Sequence, residues 1–431
     1  MSKFAKKDTS FFIEISAGLT TFFSMIYVLA ANPAIISASG MPPAAVFTAT
    51  AVGVILATLL MALVADLPFA VAPGMGLNAF FVVIVTQMGY TWNQALVAVL
   101  VSGAIFVLLS VTPARDKVLR EVPKSLQHGV SAGIGLMIAF IGLLNSKVVV
   151  LSEQGPGLGD LSGGPALLAV VGLLVTGLLL ALKSRFAILV GIIITTLIGI
   201  SLGVTDTSGL SAGFVSLPPS FSAIFLKFDF SPLGSIDFWS LIITLLFMEV
   251  IDGLAGFLGL FGVMGADGDR YRPKMGRAFI ADSLGVVVGS CLGLSPNTTY
   301  AESGAGVASG GRTGVTAMVV AAGFLLALFI SPLFMLVPFS AVAPALVLVG
   351  LLMLNSITKI DFKDFTEVFP AFVVTIVIAL TWRISDGLAL GWLIFILMKV
   401  ISGQARQLTT TVWVVGAIFA WKLFHGLVNL G

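Results

Sequence analysis

Apolar runs of about twenty residues, each closed by a short polar stretch, recur along the whole chain, and about twenty residues is the length a helix needs to cross a bilayer. The runs lie near residues 14–31, 44–65, 72–89, 93–111, 123–144, 164–182 and 186–203, then near 237–260, 277–293, 299–309, 314–336, 339–354, 367–382 and 385–401. The pattern predicts fourteen membrane segments, numbered one to fourteen below. A further apolar stretch at 411–428 reads as an extra crossing or an interfacial helix. No polar stretch is long enough for a soluble domain. The first run ends in Asn32-Pro33 and is too long for a cleaved signal peptide.

Composition narrows the class to one. Of 431 residues 58% are hydrophobic and 10% charged, against about 25% charged in a soluble domain. That excludes an ordinary water-soluble enzyme and leaves an all-α polytopic membrane protein lying in a lipid bilayer. The 47 glycines agree, since glycine is commoner in membrane helices than in soluble ones. The single cysteine, Cys291, excludes a disulfide framework and a cysteine-rich metal site. No nucleophile–histidine arrangement and no metal-ligand spacing appears, so neither an enzyme, a cofactor nor a metal is expected, and nothing points to nucleic acid.

The distribution of charge gives an orientation. Lys3, Lys6 and Lys7 precede segment one; Arg115, Lys117, Arg120 and Lys124 follow segment four; Lys183 and Arg185 follow six. Arg270, Arg272, Lys274 and Arg277 follow eight, Arg312 follows ten, Lys359 and Lys363 follow twelve, and Lys399 and Arg406 close fourteen. With fourteen crossings all of these fall on one side, which the positive-inside rule makes cytoplasmic. The expectation is a multi-pass plasma-membrane protein (inner membrane in a bacterium) with its N-terminus in the cytoplasm.

Two halves of seven segments, an odd number, must be inverted relative to each other. Traces of such a repeat are present. Val122-Pro123-Lys124-Ser125 resembles Val337-Pro338-Phe339-Ser340, and Gly135 falls on Gly350 at the same spacing. Ala72-Pro73-Gly74-Met75 in segment three also matches Ser295-Pro296-Asn297-Thr298 in segment ten. Both segments place proline and small polar residues where plain apolar helix is expected. Interrupted segments at matching positions of two halves point to a substrate site.

Acidic residues inside the apolar runs carry the chemistry. Glu249 and Asp252 in segment eight are three apart and share a helix face, and a carboxylate at the bilayer centre costs roughly 2.5–3.5 kcal/mol on insertion scales. In segment ten, Glu302 ends a Thr-rich stretch at the expected start of a half-helix, where it either serves a ligand or caps the helix. In segment three, Gly74-Met75-Gly76-Leu77-Asn78-Ala79 formally matches a dinucleotide fingerprint, but no βαβ unit surrounds it. Those glycines fit a backbone approached by a ligand. Phe80 or Phe81 offers a ring to stack on a flat molecule, although packing alone explains either. Asp282 reads equally as a partner for Arg277 or as a functional acid. His128 reads as facing headgroups.

These residues resemble a known family. Thr298-Thr299-Tyr300-Ala301-Glu302-Ser303, with Gly306-Val307-Ala308-Ser309-Gly310-Gly311-Arg312-Thr313-Gly314 behind it, is similar to the tenth-segment signature of AzgA-like purine permeases of the nucleobase–cation symporter-2 family. The run from Ala17 to Leu29 with Asn32-Pro33, Pro73 to Ala79, and Gly133 to Gly142 resemble the same branch, so the likeness spans nearly the whole chain. It implies about fourteen segments as a 7+7 inverted repeat, with short strands in segments three and ten. It also implies a core domain (segments one to four and eight to eleven, residues 1–111 and 237–336) and a gate domain (five to seven and twelve to fourteen, residues 112–236 and 337–431, the latter with the apolar tail).

The resemblance carries Glu249 and Glu302 into a purine-binding site, with Asn78, Ala79, Phe80, Thr299 and Ser303 around it. It gives Asp252, with Glu249, a role in proton coupling. One departure stands out. The branch usually has Asp, two apolar residues and Asp-Thr in segment eight, where this chain has Glu249 and, in place of the threonine, Gly253. The expected function is import of adenine, guanine or hypoxanthine with a proton by alternating access. Sodium in place of the proton, and a homodimer, are both left open. The rivals are an anion transporter of the sulfate-permease type on the same fold and a passive facilitator or channel.

Overall fold

A computed structural model describes residues 10–112, 123–152, 155–184, 186–207, 213–264, 272–382 and 384–428, with backbone alone at 255, 272, 385, 418 and 422–428. Lys3, Lys6, Lys7, Arg115, Lys117, Arg120, Arg185 and Arg270, part of the one-sided basic pattern, lie outside the described residues.

Every expected segment has its counterpart. Segment one is a broken helix, Phe11–Met25 then Val28–Ile36, and two is Pro43–Leu60 with a π turn at Met61–Ala65. Segment three is a strand, β1 (Val71–Pro73), followed by a helix over Met75–Thr86; four is Trp92–Val111. Segments five to seven are Lys124–Asn145, Gly164–Ala181 and Ala187–Ser201, with a hairpin of β2 (Val149–Ser152) and β3 (Gly155–Leu158) after five. Eight is Ile236–Val263 and nine Met275–Cys291. Ten is β4 (Asn297–Thr299) followed by the short helix Ser303–Ala308. Eleven is Gly314–Ala327 extended by Ser331–Met335, and twelve to fourteen are Phe339–Leu354, Phe365–Thr381 and Ile384–Ile401. Eight of the described helical stretches are long and apolar enough to cross a membrane. The helix over Thr410–Val428 packs on segment fourteen, where Trp392 Nε1 donates to the Val412 carbonyl at 3.0 Å. Phe419 of that helix meets both Trp392 and Phe247.

The inverted repeat is visible at its axis. Pro123 and Pro338 are the N-caps of segments five and twelve. A side-chain carbon on Gly135 would lie 2.6 Å from the Gly350 carbonyl, and one on Gly350 would meet the Gly135 carbonyl. Equivalent residues approach each other only beside a two-fold axis. Small residues let the backbones close: Gly129 lies against Ala371 and Gly133 against Thr375, so segment five packs tightly on thirteen as well as twelve.

The strands pair across the repeat. β1 and β4 are antiparallel, with Val71 opposite Thr299 and Pro73 opposite Asn297. The proline match read from the sequence is therefore three positions out of step: Pro73 ends its strand, whereas Pro296 precedes β4. Both prolines sit where no N–H is needed, and the Pro296 carbonyl accepts from the Gly74 N–H at 3.1 Å. The free edge of β1 is closed by Thr58, whose hydroxyl takes the Val71 N–H at 3.0 Å and donates to the Val71 carbonyl at 3.2 Å. Backbone that leaves the helix here is thus partnered along the β1 edge, in keeping with what lipid requires.

Two acids fasten the start of segment eleven. Glu14, 3% exposed, accepts from the Arg312 N–H, the Thr313 N–H and the Thr316 hydroxyl. Asp66, in the left-handed region at φ 51°, accepts from the Gly314 N–H at 3.0 Å and from Lys274 at 2.7 Å. Carboxylates at the positive end of a helix stabilise it and satisfy N–H groups that have no partner within the helix.

Candidate functional site

The break in segment ten places its polar residues in two directions. Successive strand residues point to opposite sides, so Thr299 and Thr298 part company. The Thr299 hydroxyl donates to Asp282 Oδ1 at 3.1 Å. The Thr298 hydroxyl is buried with no hydrogen-bond partner among the described residues. Glu302 is the N-cap residue of the short helix but makes no side-chain capping bond. It is bonded instead by Tyr27, whose hydroxyl donates to Glu302 Oε1 at 2.6 Å from the break in segment one.

These groups border a cavity of about 410 Å³. Segment one contributes Tyr27, segment three Gly74, Met75 and Gly76, and segment eight Asp252 and Gly256. Segment ten contributes residues 298–302. Opposite them stand Ser131 of segment five, Val349, Leu352 and Met353 of segment twelve, and Lys359 just beyond it. One wall is polar and acidic, the other mostly apolar. A flat heterocycle with N–H edges suits such a space: rings against the apolar wall, N–H groups toward carboxylates.

The residues named from the sequence divide. Glu302, Thr299 and Asp252 line the cavity together. Glu249, one helical turn before Asp252, does not; it is 1% exposed and accepts from the Ser102 hydroxyl of segment four at 2.7 Å, with Oε2 unpartnered. Asn78 accepts from the Ser295 hydroxyl, and Ala79 and Phe80 are buried in packing; none of the three borders the cavity. Ser303 accepts the Ala70 N–H at 2.9 Å, holding the start of the short helix to the strand pair. Phe81 is also fully buried, and the aromatic groups at the cavity are Tyr27 and Tyr300.

Sequence reasoning missed two features and left a third, Asp282, open. Tyr27 lies inside the run from Ala17 to Leu29, and its partner is 275 residues away in the chain. Asp282 lies fully buried in the body of segment nine, bonded to Thr299, and no ion pair joins it to Arg277. Its second oxygen is unpartnered, and a side-chain carbon at Gly253 would lie 2.9 Å from that atom. The glycine that departs from the family pattern therefore leaves room for Asp282. Thr298, adjacent to the expected Thr299, carries the hydroxyl that has no hydrogen-bond partner among the described residues.

Comparison with known proteins agrees over the whole length. The Xan_ur_permease model, described as "Permease family", matches residues 12–390. The guanine/hypoxanthine permease PbuO of Bacillus subtilis is 38% identical over 97% of this chain and 98% of its own. The adenine permease AdeQ of Escherichia coli is 37% identical over 98% of this chain and 95% of its own. The transmembrane domain of a cyanobacterium bicarbonate transporter, BicA, has the same fold at a TM-score of 0.61 and 16% identity, covering 85% of this chain and 96% of that one. The inverted-repeat membrane fold, the interrupted third and tenth segments and these relatives together make the chain a member of the Xan_ur_permease family of nucleobase permeases.

Proposed function

We propose that the protein imports purine nucleobases (adenine, guanine or hypoxanthine) together with protons, by alternating access. The observation that carries the reading is the break in segment ten, which sets Glu302 and the unpartnered Thr298 hydroxyl on one cavity with Asp252. A purine offers N–H donors to the carboxylates and a ring face to Val349, Leu352 and Met353. The names of PbuO and AdeQ support purines as the substrate class. Thr299 acts through its bond to Asp282, and Asn78, Ala79, Phe80 and Ser303 act behind the cavity wall as supports of segments three and ten.

Proton coupling runs on carboxylates in this reading. Asp252 faces the cavity, while Glu249 and Asp282 stand behind it, each with one unpartnered oxygen. One elementary charge moved across 100 mV is worth about 2.3 kcal/mol, roughly fifty-fold accumulation of a neutral base. The moving core comprises segments one to four and eight to eleven; the gate comprises five to seven and twelve to fourteen. Segments five, twelve and thirteen interlock through their glycines, and the cavity lies between them and segments eight and ten, while Gly76 of segment three packs on Ile134 and Met353. The protein sits in the plasma membrane with Lys359 and the N-terminus on the cytoplasmic side.

The test is uptake of radiolabelled adenine, hypoxanthine, guanine and uracil into cells lacking their own permeases, with and without a protonophore, beside Glu302→Gln. Saturable purine uptake abolished by the protonophore and by the substitution is the expected result. Uptake that survives the protonophore would replace proton coupling by sodium coupling or facilitation. Absence of uptake of any base would refute the substrate class.

A further inference from the structure

Lys359 borders two cavities at once. It stands, exposed, in the turn over Asn355–Lys359 at the rim of the cavity that holds Glu302 and Asp252. It also lines a neighbouring cleft of about 420 Å³ together with Lys124 and Ser125 at the start of segment five. His128, one turn beyond Lys124, is tied to the same turn, its carbonyl accepting from the Ser356 hydroxyl at 3.0 Å, and both lysines act electrostatically on its ring. Two acids share that cleft, each with a partner of its own. Glu367 holds Lys399 at 2.8 Å and takes the Ser125 hydroxyl, and Asp361 accepts the Lys363 N–H at 3.0 Å. Neither Lys124 nor Lys359 has an ion-pair partner among the described residues.

The cavity is therefore polarised, with carboxylates inside and the Lys359 ammonium at the rim, Lys124 standing in the adjoining cleft. A neutral base makes no use of the rim. A ligand with a planar N–H-bearing ring at one end and a dianion at the other matches both: the carboxylates repel its charged end toward Lys359 and Lys124 and accept from its ring. A volume of about 410 Å³ falls within the roughly 300–1,000 Å³ of pockets that take ligands larger than a single base. We propose that the rim is a phosphate site, and that the cavity accepts a purine nucleoside monophosphate from the solvent Lys359 faces, ring inward and phosphate on Lys359 and Lys124. The ligand blocks the site without being carried, because occlusion would bury a charged phosphate at membrane depth. Any reaction that joins the imported base to a phosphorylated sugar makes this ligand, so the site ties uptake to consumption. The proposal rests on the purine reading above.

The experiment uses the purified full chain in detergent. A tritiated base (hypoxanthine, guanine or adenine) is bound and then displaced by its own nucleoside, by its nucleoside 5′-monophosphate and by a pyrimidine 5′-monophosphate. These are compared in the wild type, Lys359→Gln and Lys359→Arg. The monophosphate is expected to compete at least tenfold better than the nucleoside in the wild type and in Lys359→Arg, with the advantage falling to within twofold in Lys359→Gln. Equal competition by nucleoside and monophosphate in the wild type would overturn the phosphate site while leaving the purine reading intact. Equal competition by the pyrimidine monophosphate would overturn the ring-inward pose. No binding of any base would overturn the purine reading and this proposal together.

Discussion

The Tyr27 hydroxyl donates to Glu302 Oε1 across 2.6 Å, joining the break in segment one to the break in segment ten. A hydrogen bond to a charged group is worth about 1.5–3 kcal/mol, and this one fixes which way the carboxylate presents itself to the cavity. Tyr27→Phe keeps the ring and removes the donor. Affinity for the base is expected to fall about tenfold or more, read by equilibrium binding in detergent. A dissociation constant within twofold of the wild type would show that the tyrosine does not position Glu302 for substrate.

The contact of Gly135 with Gly350 predicts a stability effect. A methyl on Gly135 would lie 2.6 Å from the Gly350 carbonyl and 2.8 Å from Met353 Cβ, so segments five and twelve must separate. Overpacking of this kind costs roughly 1–3 kcal/mol. Gly135→Ala should lower the thermal midpoint in detergent by several degrees. Gly177→Ala, with open space around it, should not; equal midpoints for both variants would contradict the close packing.

Lys399 predicts the behaviour of a buried ion pair. Its ammonium, 3% exposed, lies 2.8 Å from Glu367 Oε1 and 3.5 Å from Asp364 Oδ2, and Gln404 accepts at 3.0 Å. Breaking a fully buried pair costs about 3–5 kcal/mol; Lys399 is buried but Glu367 is 27% exposed, so Lys399→Met should destabilise by less than that. Lys399→Met with Glu367→Gln should recover part of the loss. A double variant as unstable as the sum of the two singles would show that the pair is not coupled.

Asp364 gives the same corner a pH signature. The Thr366 hydroxyl, at 2.7 Å, and then the Thr366 N–H, at 2.9 Å, hold its carboxyl below the ordinary range. Its pKa is lower folded than unfolded, so its stabilisation is complete above the unfolded value of about 3.9. That stabilisation is lost as pH falls through the folded one. The difference in thermal midpoint between the wild type and Asp364→Asn should be constant above about pH 5 and close below about pH 4. A gap that widens on acidification would reverse the sign and remove Asp364 as a capping anion.

The fourteen segments and the inverted repeat were legible because crossing a bilayer leaves a period and a length that residues cannot disguise. Gly135 and Gly350 were legible as equivalents because a close approach at an axis admits only glycine on both sides. The prolines misled by three positions, since a proline suits the end of one strand and the approach to another equally well. Asp252 and Glu302 stood out as acids in apolar surroundings. What the sequence hid was partnership. Glu14 reads as an acid near a segment's end, and only the fold brings Arg312, Thr313 and Thr316 to it from 298 to 302 residues away. Asp282 read equally as a partner for Arg277 or a functional acid because segment nine begins near a basic stretch, and Asn78 read as a ligand group although Ser295 occupies it.

The pairing of β1 with β4 also has a consequence for biosynthesis. The Ala70 N–H finds its acceptor in Ser303, 233 residues further along, Ala72 pairs with Thr298 and the Gly74 N–H reaches Pro296, whereas Val71 is already served by Thr58. A ribosome delivers segment three long before segment ten. During that interval the peptide groups of Ala70, Ala72 and Gly74 lack the partners that let them rest in hydrocarbon. Segment three must therefore wait at the insertion machinery, at the headgroups or against a chaperone until the second half arrives. The substrate site is thus among the last parts of the molecule to mature, and a chain truncated before residue 297 would lack it however well its first seven segments inserted.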